Sequence, residues 1–143
     1  MSDFLEIRRL SCGYRKTEVI RRLEFSLEKG KILGVVGPNG SGKTTLLRAL
    51  SRILKPSGGE VLLAGEDIWR ITPRQLALRQ AVVSQTPESA SISAIDYVLL
   101  GRYPHQKAFS FLQEESDRQI AEKYMACSDT LRFRKKNLTE LSG

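Results

Sequence analysis

The sequence predicts an α/β fold in which most strands precede most helices. Short apolar runs with a period near two dominate the first part of the chain, and patterns at helical spacing dominate the last part. Between these two parts, a glycine-rich loop joins a continuous apolar run to a run of leucines. We therefore expect β structure first, then a strand–loop–helix unit, and then mainly α structure.

Several stretches have the residue patterns of strands. The stretch at residues 20–27 is followed by a turn at Lys29 and Gly30. The stretch at residues 31–37 is apolar without alternation, as in a parallel strand that is buried on both faces. The predicted strands are residues 4–10, 20–27, 31–37, 60–63 and 81–85.

Other stretches favour helices. Residues 43–54 carry four leucines at helical spacing, and Thr72 followed by Pro73 suits an N-cap and a first helical position. Residues 93–101 form a short candidate and residues 114–128 a longer one. The expected apolar face of the longer helix consists of Ile120, Ala121, Tyr124 and Met125.

The composition is that of a globular protein. The chain has 143 residues, of which 41% are hydrophobic and 27% charged. No apolar run approaches the roughly 20 residues of a membrane helix, and the N-terminus lacks the layout of a signal peptide. We expect a cytosolic chain that can still lie against a membrane protein.

The cysteines and the single histidine do not form a metal-binding pattern. Cys12 and Cys127 have no partner at CxxC spacing, and His105 is the only histidine. We expect no zinc site and two reduced, partly buried thiols.

The net charge of +7 leaves the class of partner open. Basic residues occur in small groups, and such a surface attracts nucleic acid, anionic lipid or nucleotide phosphates. A solvated basic surface without a ligand is an equal alternative.

The glycine-rich loop, "GPNGSGKT" at residues 37–44, fits the pattern G-x-x-x-x-G-K-[ST]. Backbone N–H groups surround a triphosphate only where side chains are absent, and Gly40 and Gly42 leave that room. The following helix points its positive end at the phosphates. The expected phosphate-binding residues are Gly37, Pro38, Asn39, Gly40, Ser41, Gly42, Lys43, Thr44 and Thr45.

Three side chains of this loop have expected roles. Lys43 would reach the β- and γ-phosphates, the Thr44 hydroxyl would bind Mg²⁺, and Thr45 would lie towards the α-phosphate. The loop alone does not separate kinases, GTPases, helicases and transport ATPases.

A longer pattern makes that distinction. "GPNGSGKTTLLRAL" followed by "LKPSGGEVLLAGEDI" resembles the nucleotide-binding subunit of ABC (ATP-binding cassette) transporters. The resemblance implies a P-loop NTPase core, with an N-terminal antiparallel β subdomain and the loop in residues 1–85. It also implies a Q-loop and the start of an α-helical subdomain in residues 86–143, with an incomplete central sheet.

Further positions match motifs of that family. The resemblance places Tyr14 where an aromatic ring stacks on adenine, and Gln85 where a glutamine contacts Mg²⁺ and the region of the attacking water. It makes Gln85 and Lys43 the catalytic residues of this chain. "LSG" matches the start of the family signature, which in a dimer covers the ATP of the other subunit, and consists of Leu141, Ser142 and Gly143.

"DYVLLGRYPHQ", residues 96–106, resembles the cassettes of importers for iron-siderophores, haem and cobalamin. In that family this region faces the transmembrane permease, so we expect docking between Gln85 and His105, with Tyr103 in the groove. The implied partners are a second copy of the subunit, the permease and, indirectly, a substrate-binding protein. No nucleic acid is expected. The implied location is the cytoplasmic face of the inner membrane.

Motifs that follow the signature in this family are absent from the sequence. The Walker B aspartate, the glutamate after it and the switch histidine are missing; Glu140 and His105 are in the wrong segments to replace them. We expect a fragment of a transport-coupled ATPase whose catalysis alone is doubtful. The alternatives are a soluble ABC-type ATPase acting on nucleic acid or ribosomes, and a non-catalytic remnant.

Overall fold

A computed structural model of the protein describes residues 4–83, 91–106 and 115–141. The chain divides into two units, Met1–Val82 and Val83–Gly143. The first unit contains an antiparallel sheet of order β2-β1-β3-β4. Its strands are β1 (Leu5–Tyr14), β2 (Thr17–Leu27), β3 (Gly58–Leu63) and β4 (Glu66–Asp67).

The first hairpin is longer than the sequence predicts. β1 continues past its predicted end at residue 10 because Gly13 allows the two strands to approach closely. A Cβ on Gly13 would lie only 2.0 Å from the carbonyl oxygen of Thr17. The glycine therefore allows the strand to extend to Tyr14.

Helix α1 (Lys43–Leu50) packs on the sheet. It is shorter than predicted because Arg52 adopts a φ of 60° and reverses the chain. The N–H of Arg52 donates to the carbonyl oxygen of Ala49 (3.2 Å), and that of Ile53 to the carbonyl oxygen of Arg48 (2.8 Å). This is the hydrogen-bond pattern of a Schellman motif, and it ends the helix before Leu54.

Helix α2 (Pro73–Ala77) begins as predicted. The Thr72 hydroxyl accepts a hydrogen bond from the N–H of Gln75, and the Gln75 side chain accepts one from the N–H of Thr72, which forms a capping box. The prediction of Thr72 as N-cap and Pro73 as first helical residue is confirmed.

The prediction of a buried strand at residues 31–37 is wrong for this structure. The segment is not a strand, and Ile32 and Val36 are 98% and 95% exposed. Residues 81–83 are not a strand either, and residues 84 and 85 lie outside the described residues. A parallel strand needs neighbours for its hydrogen bonds and its apolar faces, and the described residues place no strand beside residues 31–37. Within residues 4–83, 91–106 and 115–141, the sheet expected at the centre of the fold is thus incomplete.

The second unit is helical. Its described elements are α3 (Ala94–Leu100), α4 (Glu115–Cys127) and short 3-10 helices at Tyr103–His105, Leu131–Phe133 and Leu138–Glu140. α3 and α4 share an apolar cluster of Ala94, Ile95, Leu99, Ala121 and Met125.

The predicted apolar face of α4 is partly wrong. Its buried residues are Asp117, Ala121 and Met125, four residues apart, whereas Tyr124 is 65% exposed. The tyrosine lies just outside the narrow stripe that α3 covers, and a charged residue occupies one position of that stripe.

The two thiols have opposite environments. Cys12 is fully buried within β1, and Cys127 at the end of α4 is exposed, which corrects the expectation that both are partly buried. Burial raises the pKa of the Cys12 thiol.

In the part of the chain that the structure describes, no helix combines the length and apolarity needed to cross a membrane. The same residues contain no group of three or more His, Cys, Asp or Glu arranged to hold a metal ion.

Two glycines with similar backbone angles provide a test of the sheet. Gly59 and Gly65 have φ of 77° and 82°, but a Cβ on Gly59 would lie 2.3 Å from the carbonyl oxygen of Arg9, and one on Gly65 meets nothing within 4 Å. Gly65→Ala should lower the free energy of unfolding by about 1–2 kcal/mol, the cost of the left-handed conformation. Gly59→Ala should cost at least about 2 kcal/mol more, measured by urea unfolding. Equal costs would show that β1 and β3 separate easily.

Candidate functional site

The glycine-rich loop leads directly into α1. Gly40 and Gly42 have φ of 82° and 93°, which only glycine adopts without strain. Gly42 is the N-cap of α1 and provides no side-chain acceptor, and the first turn of α1 contains no acidic residue. The positive end of α1 thus meets neither a side-chain cap nor a carboxylate of its own first turn, an arrangement that suits an anion.

Two close approaches fix the path of the loop. A Cβ on Gly37 would lie 2.9 Å from Ser41 Oγ, and a Cβ on Gly42 would lie 3.1 Å from Val19 Cγ1. Larger residues at these positions would push the loop away from its own turn and from β2. The glycines therefore serve both the conformation and the space of the loop.

Lys43 closes the loop from within. Its ammonium Nζ donates to the carbonyl oxygens of Gly37 (2.6 Å) and Pro38 (2.7 Å) and lies 3.5 Å from Ser41 Oγ. These acceptors are neutral, and a phosphate oxygen accepts a stronger, charge-assisted hydrogen bond. The same ammonium can therefore exchange a carbonyl for a phosphate with little movement of the backbone.

The two threonines after Lys43 differ in exposure. Thr44 is exposed, whereas Thr45 is buried. The binding of Mg²⁺ by the Thr44 hydroxyl stays a prediction. The role of Thr45 towards the α-phosphate stays a prediction.

Tyr14 lies at the end of β1 and is 41% exposed. Its hydroxyl oxygen accepts a hydrogen bond from Arg48 Nη1 of α1 (3.0 Å). This bond, and a second one with the Thr45 side chain, lower the pKa of the Tyr14 phenol. The structure therefore brings the predicted base-stacking ring and the helix that follows the glycine-rich loop together. The sequence analysis did not identify Arg48, since a contact across 34 residues leaves no local pattern.

The remaining predicted residues are only partly described. Gln85, Ser142 and Gly143 lie outside the described residues. Leu141 belongs to the second unit, where it packs against the apolar cluster of α3 and α4. Its assignment to a signature that covers ATP stays a prediction.

The segment predicted to dock a permease presents an exposed aromatic ring. Tyr103 begins a 3-10 helix and is 75% exposed. The preceding Arg102 donates through Nε to Oδ1 of Asp117 on α4 (2.8 Å), and the Asp117 side chain is almost completely buried. This ion pair attaches the segment to α4. The charged residue on the apolar stripe of α4 was the signal that could have revealed it.

Relatives of the chain are ATP-binding proteins of importers. The chain is 34% identical over 140 residues to the iron(3+)-hydroxamate import ATP-binding protein FhuC of Bacillus subtilis, covering 97% of this chain and 52% of that protein. It is also 34% identical over 146 residues to the petrobactin import ATP-binding protein FpuD of Bacillus anthracis, covering 100% of this chain and 52% of that protein. The chain thus spans about half the length of these curated relatives.

A solved structure and a family match agree with these relatives. A dimeric ATP-binding cassette in a post-hydrolysis state, bound to ADP and Pi, has the same fold with a TM-score of 0.78 and 20% identity, over 96% of this chain and 63% of that one. The ABC transporter family matches residues 20–143. The glycine-rich loop and the sheet of this chain, together with these matches, show that the chain belongs to the ABC transporter family.

Proposed function

We propose that this chain forms the ATP-binding part of a subunit that couples ATP binding and hydrolysis to transport. The observation that carries the proposal is the loop of residues 37–44, closed by Lys43 at the positive end of α1 and flanked by Tyr14. One end of this site suits a triphosphate and the other end suits an aromatic base.

The residues of the loop have separate tasks in this proposal. The backbone N–H groups of the loop and of the first turn of α1 hold the phosphates, and Lys43 balances the charge that develops on the transferred group. Thr44 would hold Mg²⁺, together with Gln85, and the ion would neutralise charge between the β- and γ-phosphates. Gln85 would also contact the region of the attacking water.

The subunit would work as a homodimer. In this proposal the signature that begins at Leu141, Ser142 and Gly143 covers the ATP held by the loop of the partner subunit. The dimeric state of the cassette with the same fold supports the idea. Both ATP molecules would then be enclosed between two copies.

The cargo would be an iron-siderophore, or haem or cobalamin, taken up from a substrate-binding protein through a permease. The hydroxamate and petrobactin importers named above support this class of cargo. Tyr103 would line a groove of this chain that receives a short helix of the permease, which would hold the subunit at the cytoplasmic face of the membrane.

The first test concerns Lys43. Lys43→Ala should abolish ATP hydrolysis by the ATP-binding subunit, because the fixed cation beside the phosphates is lost. Lys43→Arg should fail too, since a planar guanidinium does not fit a loop closed around an ammonium. The measurement is steady-state phosphate release, with Lys55→Ala, an exposed lysine of the same unit, as the charge-matched control. Near-normal turnover in Lys43→Ala would exclude this loop as the catalytic site.

The second test concerns base stacking. Tyr14→Ala should weaken ATP binding by roughly 1–3 kcal/mol, and Tyr14→Phe and Tyr14→Trp should weaken it less because they keep an aromatic face. Titration calorimetry with ATP measures the effect, and Tyr97→Ala, a tyrosine of similar exposure in α3, is the control. Equal affinity in all Tyr14 variants would assign the ring a purely structural role.

The third test concerns docking. Tyr103→Ala should leave ATP affinity unchanged but weaken assembly with the permease by about 2 kcal/mol, roughly 30-fold, because an aromatic anchor is lost. Gln85→Ala should instead lower hydrolysis and transport together. Pull-down of the permease and ATP titration distinguish these effects, and Tyr124→Ala on α4 is the exposed-tyrosine control. Normal assembly of Tyr103→Ala would place the permease contact elsewhere.

A further inference from the structure

The side chain of Tyr14 is held at both ends. Its backbone pairs with Thr17 in the ladder of β1 and β2, and its hydroxyl accepts the hydrogen bond from Arg48. A tyrosine at an exposed hairpin end normally samples several side-chain rotamers. The charge-assisted hydrogen bond from Arg48 favours the rotamer that the structure shows.

Arg48 is a well-fixed donor. Its carbonyl oxygen accepts hydrogen bonds from the N–H groups of Ile53 (2.8 Å) and Leu54 (2.9 Å). These bonds fix the backbone of Arg48 at the C-terminal end of α1. Thr45 lies one turn earlier on the same face of the helix and is buried. The guanidinium therefore extends from a rigid point towards the end of β1.

The same helix also carries the phosphate loop at its other end. α1 is eight residues long, from Lys43 to Leu50, which corresponds to roughly 12 Å. The Tyr14 ring, which is hydrogen-bonded to Arg48, is consequently fixed relative to the glycine-rich loop at the start of α1. One short helix therefore sets the distance between the glycine-rich loop and the Tyr14 ring.

We propose that Arg48 is a positioning residue that orients the Tyr14 ring for the base before the nucleotide arrives. This inference rests on the proposed function, in which Tyr14 stacks on adenine. Arg48 does not contact the nucleotide in this proposal; it lowers the conformational entropy that the ring loses on binding. A hydrogen bond at a partly exposed position corresponds to a modest gain, roughly three- to tenfold in affinity.

The test compares two probes on three variants. Arg48→Met removes the donor and keeps an unbranched side chain, Tyr14→Phe removes the acceptor and keeps the ring, and the third variant combines both changes. Each is titrated with MgATP and with magnesium tripolyphosphate, which has the phosphates but no base. Both single variants should bind MgATP roughly three- to tenfold more weakly, and the double variant should be no weaker than either single one. Tripolyphosphate affinity should not change.

Several outcomes would overturn the inference. Equal loss of tripolyphosphate and ATP affinity in Arg48→Met would show that Arg48 is a direct phosphate contact. Additive losses in the double variant would show that the two side chains act independently, and unchanged ATP affinity in both single variants would show that the hydrogen bond has no role in binding. If Arg48→Met does not fold, Tyr14→Phe, which removes the acceptor of the same hydrogen bond, still decides the question.

A spectroscopic measurement reports on the bond itself. Because Arg48 lowers the pKa of the Tyr14 phenol, Arg48→Met should raise it, and the difference in phenolate absorbance between each protein and its Tyr14→Phe counterpart isolates this one tyrosine. An unchanged pKa would show that the hydrogen bond is absent in solution. If Tyr14→Ala leaves ATP affinity unchanged, the proposed function of Tyr14 itself fails, which is distinct from a failure confined to the Arg48 variants.

Discussion

The packing of α1 on β1 is the interaction on which the geometry of the first unit depends. Leu10 and Cys12 in the middle of β1 are fully buried in one cluster with Leu46 and Ala49 of α1. Burial of a leucine side chain stabilises a fold by about 1.5–3 kcal/mol, so this contact is strong relative to the exposed ion pairs on the sheet. Because α1 begins at the phosphate loop and β1 ends at Tyr14, the same contact sets the distance between the two ends of the candidate site.

The glycine-rich loop has few side chains that could stabilise it, and a loop that binds an anion through its backbone requires this composition. A loop that offers backbone N–H groups to an anion cannot have large side chains, and therefore cannot form an apolar core of its own. Two other interactions stabilise the loop. The ammonium of Lys43 donates hydrogen bonds to two of its carbonyl oxygens, and Gly42 packs closely against Val19. The residue that stabilises the free loop is thus the residue that a phosphate would engage.

Local signals in the sequence were the most informative. The N-cap at Thr72, the turn at Lys29 and Gly30 and the glycine-rich loop each depend on a few neighbouring residues, and the first of these appears in the structure as predicted. The segment at residues 31–37 failed because a strand is defined by its neighbours, and those are not among the described residues. Arg48 and the pair of Arg102 and Asp117 depend on contacts between distant residues, for which a single sequence has no regular spacing.

The contrast between the two cysteines provides a built-in chemical reporter. The Cys127 thiol is exposed and can react with an alkylating reagent in the folded protein, whereas Cys12 of β1 is fully buried, out of reach of the reagent. Cys12 can react only after β1 separates from its surroundings, so its labelling rate follows the opening of the sheet. A nucleotide that binds the folded unit should slow the modification of Cys12 and leave that of Cys127 unchanged, so that one mass spectrum can follow ligand-dependent protection without any engineered label.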